Sequence, residues 1–205
     1  MELSALSLRL RALSVLRKRS AALLYLAQPT AAVLGEAVCG RDIVFTIGET
    51  YSVGPFEITS FPLSHDSACC VGYRIVLTAG GHRTLCFATD TGVVTPQLRA
   101  AAQGADFAIL EANHDENMLL AGPYPYPLKR RILSECGHLS NESCASFCAE
   151  LVAAGCRKFL LAHLSEENNY PALALQCVGG ALREAGFSEG CEVAAAKPKE
   201  TVVFH

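Results

Sequence analysis

Short polar knots close several apolar runs of this chain: FPLSHD, LCFATDTG, CGHLSN and LLAHLSEENN. They carry His65, Asp90, His138 and His163. Imidazole nitrogens and carboxylate oxygens are common ligands of Zn²⁺ and Mn²⁺, and the rigid end of a strand or helix is where such groups can converge on an ion. His65 precedes Asp66 and, taken alone, reads more readily as a hydrogen-bonded structural histidine than as a ligand. Asp90 lies beside Gly92, where small neighbours let an ion approach, although ATDTG also suits an ordinary turn. His138 stands at a helix entrance, a place that favours an anion such as a phosphoryl oxygen, or that it merely helps to cap. His163 is followed by Ser165-Glu166-Glu167-Asn168-Asn169, a polar density that either meets solvent or organises a site.

The elements that must position these groups follow from periodicity and punctuation. Leu3, Leu6, Leu10, Leu13 and Leu16 recur at helical spacing and predict an amphipathic helix, while their interleaved Arg and Ser residues also match a transit peptide in composition. Ala22 to Leu26 predicts a short buried strand, and Pro29 opens a small helix to about Leu34. Ile43 to Ile47, Phe56 to Leu63, Val71 to Leu77 and Thr84 to Ala88 are rich in β-branched and aromatic residues between glycine turns, which predicts antiparallel strands.

From Thr95 onward helices and strands alternate. Thr95 is placed to cap a helix with Pro96 at its first position, ending near Gly104. Strands are expected at Phe107 to Leu110 and Lys158 to Ala162, and helices at Pro127 to Ser134, from Ser140 or Asn141 to Gly155, and at Pro171 to Ala185. The tail adds strands at Glu192 to Ala195 and Thr201 to Phe204. A strand meander followed by βα units predicts a layered α/β fold in a single domain over residues 1–205.

A net charge of −3 excludes a generally basic nucleic-acid surface, so any phosphate would be gripped locally or through metal. The trio Lys129, Arg130 and Arg131 is either such a local grip or a solvated helix face. Ten cysteines without a secretory leader are expected to be reduced thiols of a cytoplasmic protein, and no run is long enough to span a membrane. Cys69, Cys70, Cys136, Cys144, Cys148 and Cys156 leave open a zinc or thiol-redox module, although no CxxC pair occurs.

The order PLSHD, VGYRI, ATDTG, LEANHD, GHLSN, LAHLS resembles that of the metallo-β-lactamase fold hydrolases. It looks most like the bacterial 5′ to 3′ DNA exonuclease branch associated with cell-wall two-component systems, with RNase Z a more distant relative. NHDENML, YPLKRRIL, GHLSN and AHLSEENN are the most specific strings, and the resemblance covers nearly all of residues 40–180. It implies an αββα sandwich and a pair of divalent ions, Zn²⁺ or Mn²⁺. It further implies His65 and His163 as metal ligands, Asp90 as bridging ligand and catalytic group, and His138 as catalytic partner of the departing oxygen. Asp66, Glu111, Asn113, His114 and Asp115 would be a second shell or substrate wall.

The chain departs from that family at one place: it lacks the HxHxDH motif that supplies most of the ligands. The expectation is a family member without its first strands, with Met1 falling just after the missing motif. Metal binding should then be weak, and a partner segment or oligomer would be needed to complete the site. Besides phosphodiester hydrolysis of DNA, two readings stay open: a non-catalytic remnant or piece of a split enzyme, and a thioester or lactone hydrolase of the same fold.

Overall fold

The computed structural model describes residues 15, 17–35, 38–40, 42–67, 69–187, 189–198 and 200–204. The leucines of the expected first helix lie outside these residues. The chain divides into two compact units, Met1–Glu49 and Thr50–His205.

In the first unit β1 (Tyr25–Ala27) runs into α1 (Gln28–Leu34), whose first turn holds Pro29, and β2 (Ile43–Phe45) follows. Of β1 only Ala27 is buried, so the apolar run did not mark a buried strand. β2 pairs in parallel with β1, Tyr25 opposite Ile43, and does not join the antiparallel meander expected for it. The helix between them supplies the crossover that a parallel pair needs.

In the second unit, seven strands form one sheet in chain order: β3 (Thr50–Val53), β4 (Phe56–Pro62), β5 (Val71–Leu77), β6 (Arg83–Ala88), β7 (Phe107–Glu111), β8 (Lys158–Ala162) and β9 (Glu192–Ala195). β3 to β6 are antiparallel, and β6 to β9 are parallel. The meander turns at Gly54, with φ 58°, and at Gly80 and Gly81, with φ 76° and 105°, a backbone that a side chain resists. β3 escaped the sequence reading because its polar residues carry no apolar run. The Thr50 and Thr59 hydroxyls, 2.7 Å apart, tie it to β4 instead.

Helices connect the parallel strands, as the βα alternation requires. α2 (Pro96–Ala102) joins β6 to β7, with Thr95 Oγ1 accepting the Leu98 N–H at 3.1 Å. α3 (Glu116–Ala121), α4 (Tyr126–Ile132) and α5 (Asn141–Ala153) lie between β7 and β8, and α6 (Pro171–Glu184) precedes β9. α5 is capped by Ser140 Oγ on Ser143 N–H at 3.2 Å. Phe147, Val178, Phe159 and Leu161 belong to one buried core, a layered mixed α/β architecture. Thr201–Phe204 forms no strand; the Phe204 ring packs on Phe107 with centroids 4.7 Å apart. Among the described residues no helix is long and apolar enough to cross a membrane.

The register sets Ala88 beside Leu110 and Leu110 beside Leu161. Asp90, Glu111 and His163 therefore emerge together at the carboxyl ends of neighbouring parallel strands, the edge at which α/β sheets bind ligands.

Candidate metal centre

Asp90 and His163 leave their strands with φ of 61° and 57°, the left-handed region that costs an L-residue about 1–2 kcal/mol. Such strain persists where surrounding structure enforces it. Here Asn113 donates its amide N–H to the His163 carbonyl at 2.8 Å, and the Gly92 N–H reaches the Ser64 carbonyl at 2.9 Å. The two distorted turns carry the side chains toward each other.

Asp90 Oδ1 lies 3.7 Å from His163 Nε2 and 4.0 Å from His65 Nε2. Both separations are too long for a hydrogen bond. Two donors each about 2.0–2.2 Å from one ion stand no more than about 4.4 Å apart, so each pair can share one. His138 joins them: Asp90, His138 and His163 each present a ligand atom within 4.8 Å of the others, the one such group of three among the described residues. Its ring stands 5.0 Å from His65 and 5.1 Å from His163, centroid to centroid. The cysteines form no group of this kind among the described residues.

Each imidazole is anchored through Nδ1. His138 and His163 share Glu111 Oε1, at 2.8 and 2.6 Å, and His65 is held by the Gly137 carbonyl at 3.0 Å. An imidazole fixed at one nitrogen by a carboxylate or carbonyl offers the other to a metal, so the donor set and its outer support suit a divalent ion. Glu111 is fully buried and also accepts the N–H groups of Thr91 at 2.8 Å and Leu139 at 3.3 Å. Burial pushes its carboxyl pKa up, but the hydrogen bonds from His138, His163 and Thr91 outweigh that and hold it at about 2. The same Glu111 contact raises the pKa of His163.

Asp66 sits 3.5 Å from His65 Nε2, and Arg131 binds its carboxylate, which lowers its pKa. Asn113 is spent on the His163 backbone, and Asp115 caps α3 by accepting the Met118 N–H at 2.8 Å. His114 is 1% exposed, burial lowers its pKa, and neither ring nitrogen has a hydrogen-bond partner among the described residues. Of the cationic trio, Lys129 caps α3 by donating to the carbonyls of Leu120 and Gly122 at 2.6 and 2.7 Å.

Sequence reasoning missed the Gly137 carbonyl, the Arg131 clamp and a buried amide pair. Asn169 Nδ2 donates to the Ala112 carbonyl at 2.8 Å and to Asn141 Oδ1 at 2.9 Å, tying the loop after His163 to the N-terminus of α5. The Asn168-Asn169 pair was the visible signal; its partners were not.

Residues 10–164 match the family described as a beta-lactamase superfamily domain. The chain is 36% identical over 158 residues to "Exodeoxyribonuclease YycJ" of Bacillus anthracis, covering 77% of this chain and 59% of that protein. It is 35% identical over 159 residues to "Exodeoxyribonuclease WalJ" of Streptococcus pneumoniae, covering 78% and 58%. The chain thus spans under two thirds of the length of these curated relatives. Among solved structures, the metallo-beta-lactamase fold protein YhfI of Bacillus subtilis aligns with TM-score 0.59 at 20% identity, covering 85% of this chain and 62% of that one. Zn²⁺-bound PqqB of Methylobacterium extorquens aligns with TM-score 0.57 at 18% identity, covering 89% and 66%. These two likenesses establish the fold.

Proposed function

Because the chain belongs to the beta-lactamase superfamily domain family, we propose that it is a metal-dependent phosphodiester hydrolase acting on DNA in the cytoplasm, as a single domain with its site at the ends of β6, β7 and β8. One observation carries the reading: Asp90 Oδ1 lies within ion-sharing distance of both His65 Nε2 and His163 Nε2. The exodeoxyribonuclease names of the relatives supply the substrate class.

His65 and His163 would hold divalent ions, Zn²⁺ or Mn²⁺, with Asp90 as the shared ligand. When bound, such ions supply Lewis acidity toward the phosphodiester and a water acidic enough to react near neutral pH. Glu111 fixes the orientation of His163 and His138 through their Nδ1 atoms, so that each ring offers Nε2 to the cleft. His138 delivers a proton to the departing oxygen. Asp66, itself held by Arg131, stands on the Nε2 side of His65, beside the ligand position, and His114 forms part of the buried wall behind.

A second reading is favoured by the missing HxHxDH motif: the chain as given binds metal weakly and is one piece of a larger active unit. Both readings meet one experiment. Zn²⁺ or Mn²⁺ is titrated while the melting temperature is followed, and DNA hydrolysis is measured with and without chelator, on the chain alone and on the chain joined to an upstream segment bearing HxHxDH. A metal-induced rise in melting temperature, with chelator-sensitive cutting at least in the joined form, is expected. Metal-independent cutting, or none in either form, would overturn the nuclease reading.

A further inference from the structure

The three histidines line a cavity of about 310 Å³ whose lining also holds an aromatic ring, apolar side chains and an arginine. Tyr124 precedes α4, and Leu128, Arg131 and Ile132 project from one face of that helix at i, i+3 and i+4 spacing, all four lining the cavity. None of these residues has a part in holding an ion. Resting on the phosphodiesterase reading, we propose that this wall is the seat of a terminal single-stranded nucleotide: its base stacks on Tyr124, and its phosphate lies between Arg131 and the histidines.

The wall is built to stay where it is. Lys129 locks the turn from α3 into α4 through the carbonyls of Leu120 and Gly122. At the other end of α4, a Cβ on Gly137 would fall 2.1 Å from the Ile132 carbonyl oxygen and 2.3 Å from that of Arg131, so the helix end rests directly on the residue that anchors His65. The aromatic wall and the histidine wall therefore form one rigid frame.

The chemistry selects the ligand. An aromatic ring in the same cavity as ligand-type histidines accepts any base, because every base has a π-face. Arg131 gives Nε to Asp66 and remains 60% exposed, so its two terminal nitrogens stay available to a phosphate. The cavity is near the small limit of ligand pockets, about 300 Å³, which suits one nucleotide. A base still stacked in a duplex cannot reach Tyr124, so a frayed or single-stranded end is required.

The test is fluorescence anisotropy in chelator, where no strand is cut, using the full chain and a short labelled single strand, either intact or with abasic residues at both ends. The native chain should bind the intact strand about tenfold more tightly than the abasic one. Tyr124→Ala should lose that preference and Tyr124→Phe should keep it. Equal affinity of the native chain for both strands, no binding of either, or a Tyr124→Ala loss that is the same for both strands, would overturn the stacking seat. The hydrolase reading is tested separately, by chelator-sensitive cutting of DNA with the chain alone and joined to an upstream segment bearing HxHxDH: no cutting in either form would defeat it while the preference for a terminal base could still be measured.

Discussion

Glu111 Oε1 stands 2.6 Å from His163 Nδ1, and the same oxygen meets His138 Nδ1 at 2.8 Å, so one buried carboxylate sets two of the three rings of the site. Glu111→Ala would leave both imidazoles and the N–H groups of Thr91 and Leu139 without their acceptor. Removing one partner of a buried charged network costs about 3–5 kcal/mol. Glu111→Gln keeps the volume but turns an N–H₂ toward groups that need an acceptor, and metal affinity should fall about 10–100-fold. Urea denaturation reads the first effect, and calorimetric Zn²⁺ titration the second. Wild-type values for both variants would remove Glu111 from the argument.

The same pair gives the metal-free chain an acid and a basic limit. Glu111 has its folded pKa lowered from 4.5 to about 2, so its contribution is fully present above about pH 4.5 and is lost as pH falls through about 2. His163 has its folded pKa raised above 6.5, so its contribution is fully present below pH 6.5 and is lost as pH rises through the folded value. His114, whose pKa burial lowers, works in the opposite direction to His163 and is present in both proteins, so the pair is read as a difference: in chelator the native chain should exceed Glu111→Gln in melting temperature by most between about pH 4.5 and 6.5. A difference between the two proteins that grows steadily from about pH 5 to 8 would contradict this.

How much of the site could be read in the sequence depends on range. Asp90 and His163 were legible because a ligand-type residue directly after an apolar strand in a βα alternation has to emerge at the carboxyl edge of a parallel sheet. The caps at Thr95 and Ser140 were legible because they act three residues away. The hold on His65 was not, since it comes from a carbonyl 72 residues distant that belongs to a glycine and carries no side-chain signature. Nor did the composition of the Lys129-Arg130-Arg131 trio indicate that Lys129 would be used up on helix-end carbonyls while Arg131 would reach Asp66. β2 was misplaced for the same reason: the apolar run from Ile43 to Ile47 specifies a strand, and its partner is decided by the intervening chain.

Two glycines separate contact from conformation. Gly137→Ala would drive a Cβ to 2.1 Å from the Ile132 carbonyl oxygen and displace the backbone that holds His65, at a cost of about 1–3 kcal/mol together with weakened metal binding. Gly180, within α6, has nothing within 4 Å of an added Cβ, and Gly180→Ala should stabilise by up to about 1 kcal/mol with metal binding unchanged. Chemical denaturation of the two variants side by side should move in opposite directions. Stabilisation by both would show that backbone propensity, and not the close approach at Gly137, governs both.

The cysteines should sort by exposure. Cys136 is exposed, its Sγ 3.8 Å from Ser64 Oγ, whereas Cys86, Cys144 and Cys148 have no exposed surface. Burial pushes the Cys86 thiol up to about 12 and that of Cys70 up to about 11, and since the thiolate is the reactive form, both should be slow at pH 8. A chromogenic disulfide reagent should therefore react fastest at Cys136, ahead of the half-buried thiols, in a phase that Cys136→Ser removes, and should count ten thiols in denaturant without reductant. Because Cys136 gives its carbonyl to the Asp66 N–H at 3.1 Å and precedes Gly137, the bulky adduct in the fast phase should also lower metal affinity, whereas Cys136→Ser should not. A count below ten in denaturant would reveal a disulfide. A fast phase indifferent to Cys136→Ser would mean that another part of the chain opens more readily than the site does.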